Sequence, residues 1–460
     1  MQRLATLSVR PTMLGTGRLI AFSAIAMPIY AAQIPLNVYL PAIFARYYGI
    51  SLAALGVIFL VEKLWSALAD PIIGVMSDHT RHRLGRRRSW IALGGLVFGL
   101  SGLLLFFPPA HVTPIYLISV LSAFYLGWSM IQIPFFAWSG EISADYDERT
   151  RIATYQAVAG AAAMVLVLVL PTIVDQWRPA DGALKLGAMG VLFLAMLAPG
   201  MWLTLRAFPD AVAPARPAPR LSLTQTVWLV LSNPLLMRVL GSDFAVMLGQ
   251  SLRATLFVFF VSGYMGLPRW ASGLFLLQFV FGVAAGPIWM KIGYRLGKHR
   301  TAVAGELVQV AINLGLLLIA PGQLPLLLVL TVAQGLAQGS GNLMLRAMVA
   351  DIADQHRLET GEDRAALFFS VFSISMKAAM AVAVGVALPL VGRLGFDPQA
   401  SVNSPQALHG LLLVFALGPA IAHAASAALI SRFPLDAVAH ADIRRRLAER
   451  QSSFVAHPAE

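Results

Sequence analysis

The chain has 460 residues, 58% of them hydrophobic and 12% charged, with a mean hydropathy of +0.73. A soluble domain carries roughly 25% charged residues, so this chain cannot cover itself with charge; lipid must solvate most of its surface, and disordered, fibrous and ordinary cytosolic classes are excluded. Its formal charge is +12, and it contains no cysteine, which excludes disulfides, thiolate zinc sites, iron–sulfur clusters and cysteine nucleophiles.

Residues Met1 to Gly17 lack the apolar core and small-residue cleavage site of a signal peptide, so the first apolar run is expected to stay in the protein. A spanning helix needs about 20 mostly apolar residues. Runs between charged breaks predict twelve, at 19–45, 51–76, 89–107, 114–139, 152–174, 184–205, 236–262, 270–290, 301–320, 324–350, 366–391 and 407–431. Prolines inside them, such as Pro28, Pro35, Pro71, Pro134 and Pro287, are tolerated where neighbouring helices satisfy the freed backbone groups.

The break Arg206–Thr224 contains Pro209, Pro214, Pro217 and Pro219 and follows the sixth span. It predicts a cytoplasmic linker (207–224) between a bundle at 1–206 and a bundle at 225–431, with a cytoplasmic tail at 432–460. If the N-terminus lies inside, cytoplasmic segments hold 24 of the 34 Lys and Arg. External loops hold five, namely Arg46, Arg178, Lys185, Arg269 and Arg393. That bias places both termini in the cytoplasm. It also accounts for the positive charge without nucleic acid; the bilayer is the expected partner.

Spans two and eight end alike. One closes Pro71-Ile-Ile-Gly74 and is followed by Gly85-Arg86-Arg87-Arg88; the other closes Gly286-Pro287-Ile288 and is followed by Gly297-Lys298-His299-Arg300. With six spans on each side of the linker, this resembles the parallel repeat of the major facilitator fold: an all-α membrane protein of two pseudo-symmetric six-helix bundles.

A charge at mid-membrane costs roughly 2.5–3.5 kcal/mol on insertion scales, so polar residues inside spans mark candidate sites. On span one, Tyr30, Gln33 and Asn37 recur at intervals of three and four, a polar stripe facing a cavity or another helix. On span two, Glu62, Ser66 and Asp70 are spaced by four and share one face. Lys63 lies seven residues before Asp70, about 10 Å along the axis. Pro71 removes the helical partner of the Ala67 carbonyl. A carboxylate, the Ser66 hydroxyl and that carbonyl then converge on an oxygen site for a proton, or for a small cation with help from another helix.

Span four offers Trp128, Gln132, Phe136 and Trp138. Rings with an amide suit the face and hydroxyls of a sugar, and also suit helix packing. Tyr155 and Gln156 on span five, Arg253 on span seven, Asn342 and Arg346 on span ten and Ser373 on span eleven are further cavity candidates. Lys377 has no carboxylate within a helical turn; its partner must be a ligand or a residue on another helix, with Asp70 and Asp351 the candidates.

Two clusters between spans have the pattern of a gate. Asp78 precedes Arg86, Arg87 and Arg88, and Glu141 precedes Asp145, Glu148, Arg149 and Arg151. Opposite charges in adjacent inner loops are expected to pair when the inner side closes and to part when it opens. Exposed pairs contribute about 0–1 kcal/mol each, so a network is needed. Asp351 and Asp354 admit an alternative, an intramembrane metal-dependent enzyme. No phosphate loop, G-x-S-x-G or H-E-x-x-H motif is present.

The run Asp70-Pro71-Ile-Ile-Gly74-Val-Met-Ser77-Asp78-x-Thr80-x-x-Arg83-x-Gly85-Arg86-Arg87-Arg88 resembles the span-two signature of the glycoside–pentoside–hexuronide:cation symporters, major facilitator transporters typified by melibiose permease. Asp145-Tyr146-x-Glu148-Arg149-Thr150 resembles that family's loop after span four. Met348-Val349-Ala350-Asp351-x-x-Asp354 and Lys377 with Gly385 resemble its spans ten and eleven. The matches cover most of the chain in family order. The resemblance implies that Asp70 is the second of two cation carboxylates and that Lys377 is the lysine near that site. Ser66 replaces the first carboxylate, and Lys63 stands where the family often has arginine. Tyr30 and Gln132 stand where melibiose permease has its sugar-binding aspartates; Ala157 replaces an arginine and Phe136 a tryptophan.

The expectation is therefore a secondary active transporter, not an enzyme. It would carry a glycoside or related sugar with a cation by alternating access, the proton favoured over sodium because one carboxylate and a hydroxyl remain. Asp70, Ser66, Lys377, Glu62 and Lys63 would couple the cation. Tyr30, Asn37, Trp128, Gln132, Phe136, Tyr155, Gln156, Arg253, Asn342 and Ser373 would meet substrate. Asp78, Arg86, Glu141, Asp145, Arg149 and Asp351 would gate. No cofactor and no metal are expected, and the protein is expected to be a monomer in a bacterial inner membrane. A lysolipid or amphiphile carrier on the same scaffold is the alternative, to be recognised by a lateral, aliphatic opening.

Overall fold

The computed structural model describes residues 14–143, 145–178, 181–209, 223–362 and 364–456. Residues 210–222 of the expected linker, the first 13 residues and Asp363 lie outside these. Among the described residues, twelve helices are long and apolar enough to cross a membrane: Thr16–Tyr48, Leu52–His79, Arg86–Phe106, Pro114–Glu141, Asp147–Trp177, Gly182–Ala207, Pro234–Tyr264, Pro268–Leu296, Lys298–Leu318, Leu324–Thr360, Leu367–Arg393 and Pro405–Ile430. They are spans one to twelve below. A further helix, Ala437–Ala456, follows them. Spans two and ten outrun their apolar stretches at the end carrying the basic loops, to His79 and Thr360, because helical turns beyond the lipid need no apolar residues.

Span one is not continuous. It runs as Thr16–Ser23, Ala26–Ala31, a wide turn at Pro35–Tyr39 and Leu40–Tyr48. Pro28, Pro35 and Pro41 cannot donate to the helix ladder and crowd the carbonyl four residues back. The freed groups are satisfied locally. Thr204 of span six accepts from the Ile25 amide at 3.2 Å and donates to the Phe22 carbonyl at 2.9 Å. The Asn37 amide donates to the Gln33 carbonyl at 2.7 Å. Asn37 thus repairs its own helix, which departs from its expected role as a substrate contact.

Span ten is interrupted too. Gln338 ends one segment, Gly339 takes φ 91°, and Ser340 starts the next. A left-handed residue breaks the ladder here, and glycine adopts it without steric cost.

The repeat is visible in the backbone. Gly85 before span three has φ 103° and ψ 161°; Gly297 before span nine has φ 84° and ψ 158°. Both turns need a residue without Cβ, and both deliver basic side chains to the same point of a half. Within a half, small residues let helices close up: a Cβ on Gly127 of span four would lie 2.5 Å from the Phe98 amide nitrogen of span three.

The halves meet through spans two and eleven, five and eight, and one and seven. A Cβ on Gly56 would lie 2.6 Å from Pro389, and one on Gly385 would lie 3.2 Å from Leu60. The helix after span twelve docks on span ten, where His440 lies 3.2 Å from both Asp351 and Asp354, and Arg444 lies 3.5 Å from Asp354.

Candidate functional site

Asp70, one residue before Pro71 on span two, is the meeting point of three helices. Ser129 of span four donates to Asp70 Oδ1 at 2.6 Å. Lys377 of span eleven pairs with Oδ2, so this ion pair joins the two halves. Both side chains keep some exposure, 19% for Asp70 and 34% for Lys377, which leaves the pair open to exchange. The hydroxyl on Asp70 belongs to Ser129 and not, as expected, to Ser66, which is buried one turn earlier. Rotation of span four sets this, and no pattern within span two reports it.

Glu62 and Lys63 form a separate buried pair. Lys63 donates to the Tyr125 hydroxyl at 2.8 Å, lies 4.6 Å from that ring's centre, and stands 3.8 Å from Glu62 Oε2. Glu62 is fully buried and neither of its oxygens has a hydrogen-bond partner.

The substrate candidates divide. Tyr30 is half-buried, its ring over Gly160 at a spot a Cβ would invade at 2.5 Å. The Arg346 charge reaches Tyr30 from the other half. Trp128 packs beside Tyr125 with ring centres 5.5 Å apart, and its buried indole nitrogen has no partner. Gln132 and Phe136 are half-buried on the same helix, Phe136 against Phe135 at 5.4 Å. The Gln156 amide nitrogen is buried and unpartnered. Tyr155 sits near the Arg151 guanidinium, 6.0 Å from ring centre to carbon.

In the other half, Asp243, Met247, Asn342, Leu343, Arg346, Ala347, Phe372 and Met376 enclose a cavity of about 430 Å³. Asn342 donates to Gln250 at 3.3 Å, and Ser373 is exposed beside Phe372. Arg253 does not belong to this group. It is buried, donates to Asn313 at 2.9 Å and lies 5.0 Å from the Phe415 ring centre. Its charge is absorbed inside one half because span seven turns it toward spans nine and twelve.

At the basic end, Glu141 accepts from Arg86 and Arg87 at 2.7 Å each; Arg87 also reaches Asp78 at 2.7 Å and Ser77 at 2.8 Å. The second half repeats the device, with Lys298 donating to both oxygens of Asp351 at 2.7 Å. These networks tie spans of one half to each other, so Asp78, Arg86, Glu141 and Asp351 pair as adjacent inner loops were expected to, and here they act as clamps within a half, none of these bonds reaching the other half. Asp145 caps span five by accepting from the Glu148 amide at 2.9 Å, and Arg149 donates to the Ser143 carbonyl at 2.7 Å. Those two stitch a turn, which departs from the gating expectation.

Apart from the Asp70–Lys377 pair, polar bonds that cross between halves lie at the opposite end. Asp175 of span five is buried, pairs with Lys185, and accepts from the Ser272 amide of span eight at 3.2 Å. Gln176 donates to the Arg269 carbonyl at 3.0 Å. Sequence reasoning missed Ser129, Tyr125, Lys298 and Asp175. Asp175 alone had a signal, an acid at the end of an apolar run.

Comparison with known proteins identifies the family and the fold. Residues 21–437 match the model of the MFS/sugar transport protein family. The isoprimeverose transporter of Lactiplantibacillus pentosus is 23% identical, over 87% of this chain and 85% of its own. The glucuronide carrier protein homolog of Escherichia coli is 24% identical, over 81% and 82%. Among solved structures, the nucleoside transporter NupG superposes with a TM-score of 0.66 at 12% identity, covering 90% of this chain and 98% of that one, which speaks for the fold alone. These relatives do not favour an amphiphile carrier or an enzyme. A twelve-span bundle, an acid–base pair joining its halves and a family match over most of its length make this chain an integral membrane transporter of the sugar/cation symporter type, a member of the MFS/sugar transport protein family.

Proposed function

We propose that the protein carries a glycoside or related sugar together with a proton, by alternating access, with Asp70 as the coupling carboxylate. The observation that supports this most is the Asp70–Lys377 pair spanning the two halves. An ionised Asp70 holds Lys377 and so favours one arrangement of the halves. A proton on Asp70 removes its charge, dissolves the pair and frees Lys377. Such a pair is worth between about 1 kcal/mol at an exposed site and about 3–5 kcal/mol at a buried one, enough to bias an equilibrium between two packings. Inward movement of the proton's charge supplies about 2.3 kcal/mol per 100 mV.

A proton suits the site better than a metal cation. Hard cations gather about six oxygens, whereas Asp70 has one hydroxyl beside it and an ammonium already seated. Substrate would bind between the cavity bounded by Asn342 and Arg346 and the face bearing Tyr30, Trp128, Gln132 and Phe136. A volume of about 430 Å³ lies within the usual range for small-ligand sites. The positive-inside bias puts the basic loops and both termini in the cytoplasm. Bonds between halves at the far end then correspond to an inward-facing state. The protein would act as a monomer in a bacterial inner membrane, without a cofactor.

The test uses proteoliposomes with an imposed pH gradient and ligands first found by thermal shift, with and without sodium, since a specific ligand raises the melting temperature by mass action. Asp70→Asn is expected to abolish accumulation against a gradient while preserving counterflow exchange. Accumulation by that variant would overturn the role of Asp70.

A further inference from the structure

We propose that Asp243, Glu306 and His423 form a second proton-binding site, buried inside the C-terminal half and reached from the cavity through Asp243. The three come from spans seven, nine and twelve and are each about 1% exposed. His423 Nδ1 lies 2.5 Å from Glu306 Oε2. Asp243 faces the Glu306 charge, lines the cavity of about 430 Å³, and has one buried oxygen, Oδ2, with no hydrogen-bond partner.

The surrounding backbone keeps room for these groups. A Cβ on Gly341 of span ten would lie 2.1 Å from Glu306 Oε1, and one on Gly249 of span seven would lie 3.2 Å from His423 Nε2. Next to them, Ser242 and Ser426 share a hydrogen bond of 2.7 Å, so spans seven and twelve meet along a polar seam.

Charge counting identifies the ligand. Two carboxylates beside a single histidine leave a net negative charge in a buried site whichever form the ring takes, and uncompensated buried charge is strongly destabilising. One added proton makes the cluster neutral. The cations on neighbouring elements are otherwise engaged or set apart. Arg238 donates to the Leu429 carbonyl, Arg253 to Asn313, Lys298 to Asp351, and Lys377 pairs with Asp70. Arg346 lines the same cavity without a salt bridge to Asp243. Among the described residues no group of three His, Asp or Glu is placed to hold a metal, so a proton is the ligand that fits. Imidazole is the side chain that exchanges a proton nearest neutral pH.

The site stands apart from the Asp70 reading, and its test can be run in the Asp70→Asn background. Infrared difference spectra of the purified full-length protein, recorded on a step from alkaline to acid pH, should show a protonated-carboxyl band. Asp243→Asn and Glu306→Gln should each remove a component of that band, over a remainder from Glu62 and the exposed carboxylates, with acid-step proton uptake lower by about one per molecule. An unchanged band and unchanged uptake in both variants would overturn the site. If Glu306→Gln fails to fold, the isosteric Asp243→Asn variant at the cavity wall decides alone: a band smaller than that of the Asp70→Asn parent supports the site, and a band of unchanged size and uptake overturns it.

Discussion

The two ends of the bundle are held by different chemistry. At the basic end, charged networks bind spans within each half: Asp78, Arg86, Arg87 and Glu141 in one, Lys298, Asp351 and His440 in the other. At the opposite end, the halves are joined by apolar contacts such as Gly56 on Pro389, and by a few polar bonds from Asp175 and Gln176. Strong, partly buried charge pairs make each half a rigid body. The mostly apolar contacts between the bodies have no fixed direction and can be exchanged for others at smaller cost. A rocking transporter needs both properties, and this chain assigns them to different residues.

The largest expected effect comes from breaking the clamp. Glu141→Gln would take one of the two carboxylates from the buried Arg87, and losing one partner of a buried pair costs about 3–5 kcal/mol. Because Glu141 is 22% exposed, the lower figure applies. The denaturation midpoint of the detergent-solubilised protein should fall clearly, while the balance between open and closed states stays unchanged. A shift in that balance with unchanged stability would mean that the clamp acts between halves after all.

A middle-sized effect is expected at the other end. Asp175→Asn weakens a charge-assisted hydrogen bond to Ser272, a contact worth about 1.5–3 kcal/mol and present only when that end is closed. The chain has no cysteine, so Leu52→Cys, buried against Gly392, reports opening without background. Thiol labelling there should accelerate at least tenfold in the Asp175→Asn variant. An unchanged rate would remove Asp175 from the latch.

Much of this was legible in the sequence, and the illegible part has one cause. Twelve spans, two halves and the paired glycine turns follow from hydropathy and local backbone demands. Asp70 and Lys377 stood out because charge in an apolar run is costly. Helical spacing gives the face a residue occupies but not the rotation of the neighbouring helix, so Ser129 was invisible as the partner of Asp70, and Arg253 lines a small cavity of its own half beside Gln250 rather than the one bounded by Asn342 and Arg346. Complementary charge in the inner loops suggested pairing, but sign alone does not tell a permanent clamp from a pair that parts during the cycle. Asp243 and Glu306 carried the same cost signal as Asp70, each being the one acidic residue of its span, and only the packing of spans seven, nine and twelve groups them with His423.

The smallest expected effect separates a cap from a gate. Asp145 ends the turn after span four by bonding the Glu148 amide, one of the donors a helix start leaves unpaired. Replacing an N-cap by alanine costs about 1 kcal/mol. Asp145→Ala should therefore lower stability slightly and leave the transport rate and the labelling of Leu52→Cys where they were. Its negative charge sits in the same loop as Arg149, which is spent on the Ser143 carbonyl, so no cation in that turn is waiting for it. If the folded Asp145→Ala variant instead stalled transport, the loop would have to exchange partners during the cycle, and the division between rigid halves and a yielding seam would have to be redrawn to include it.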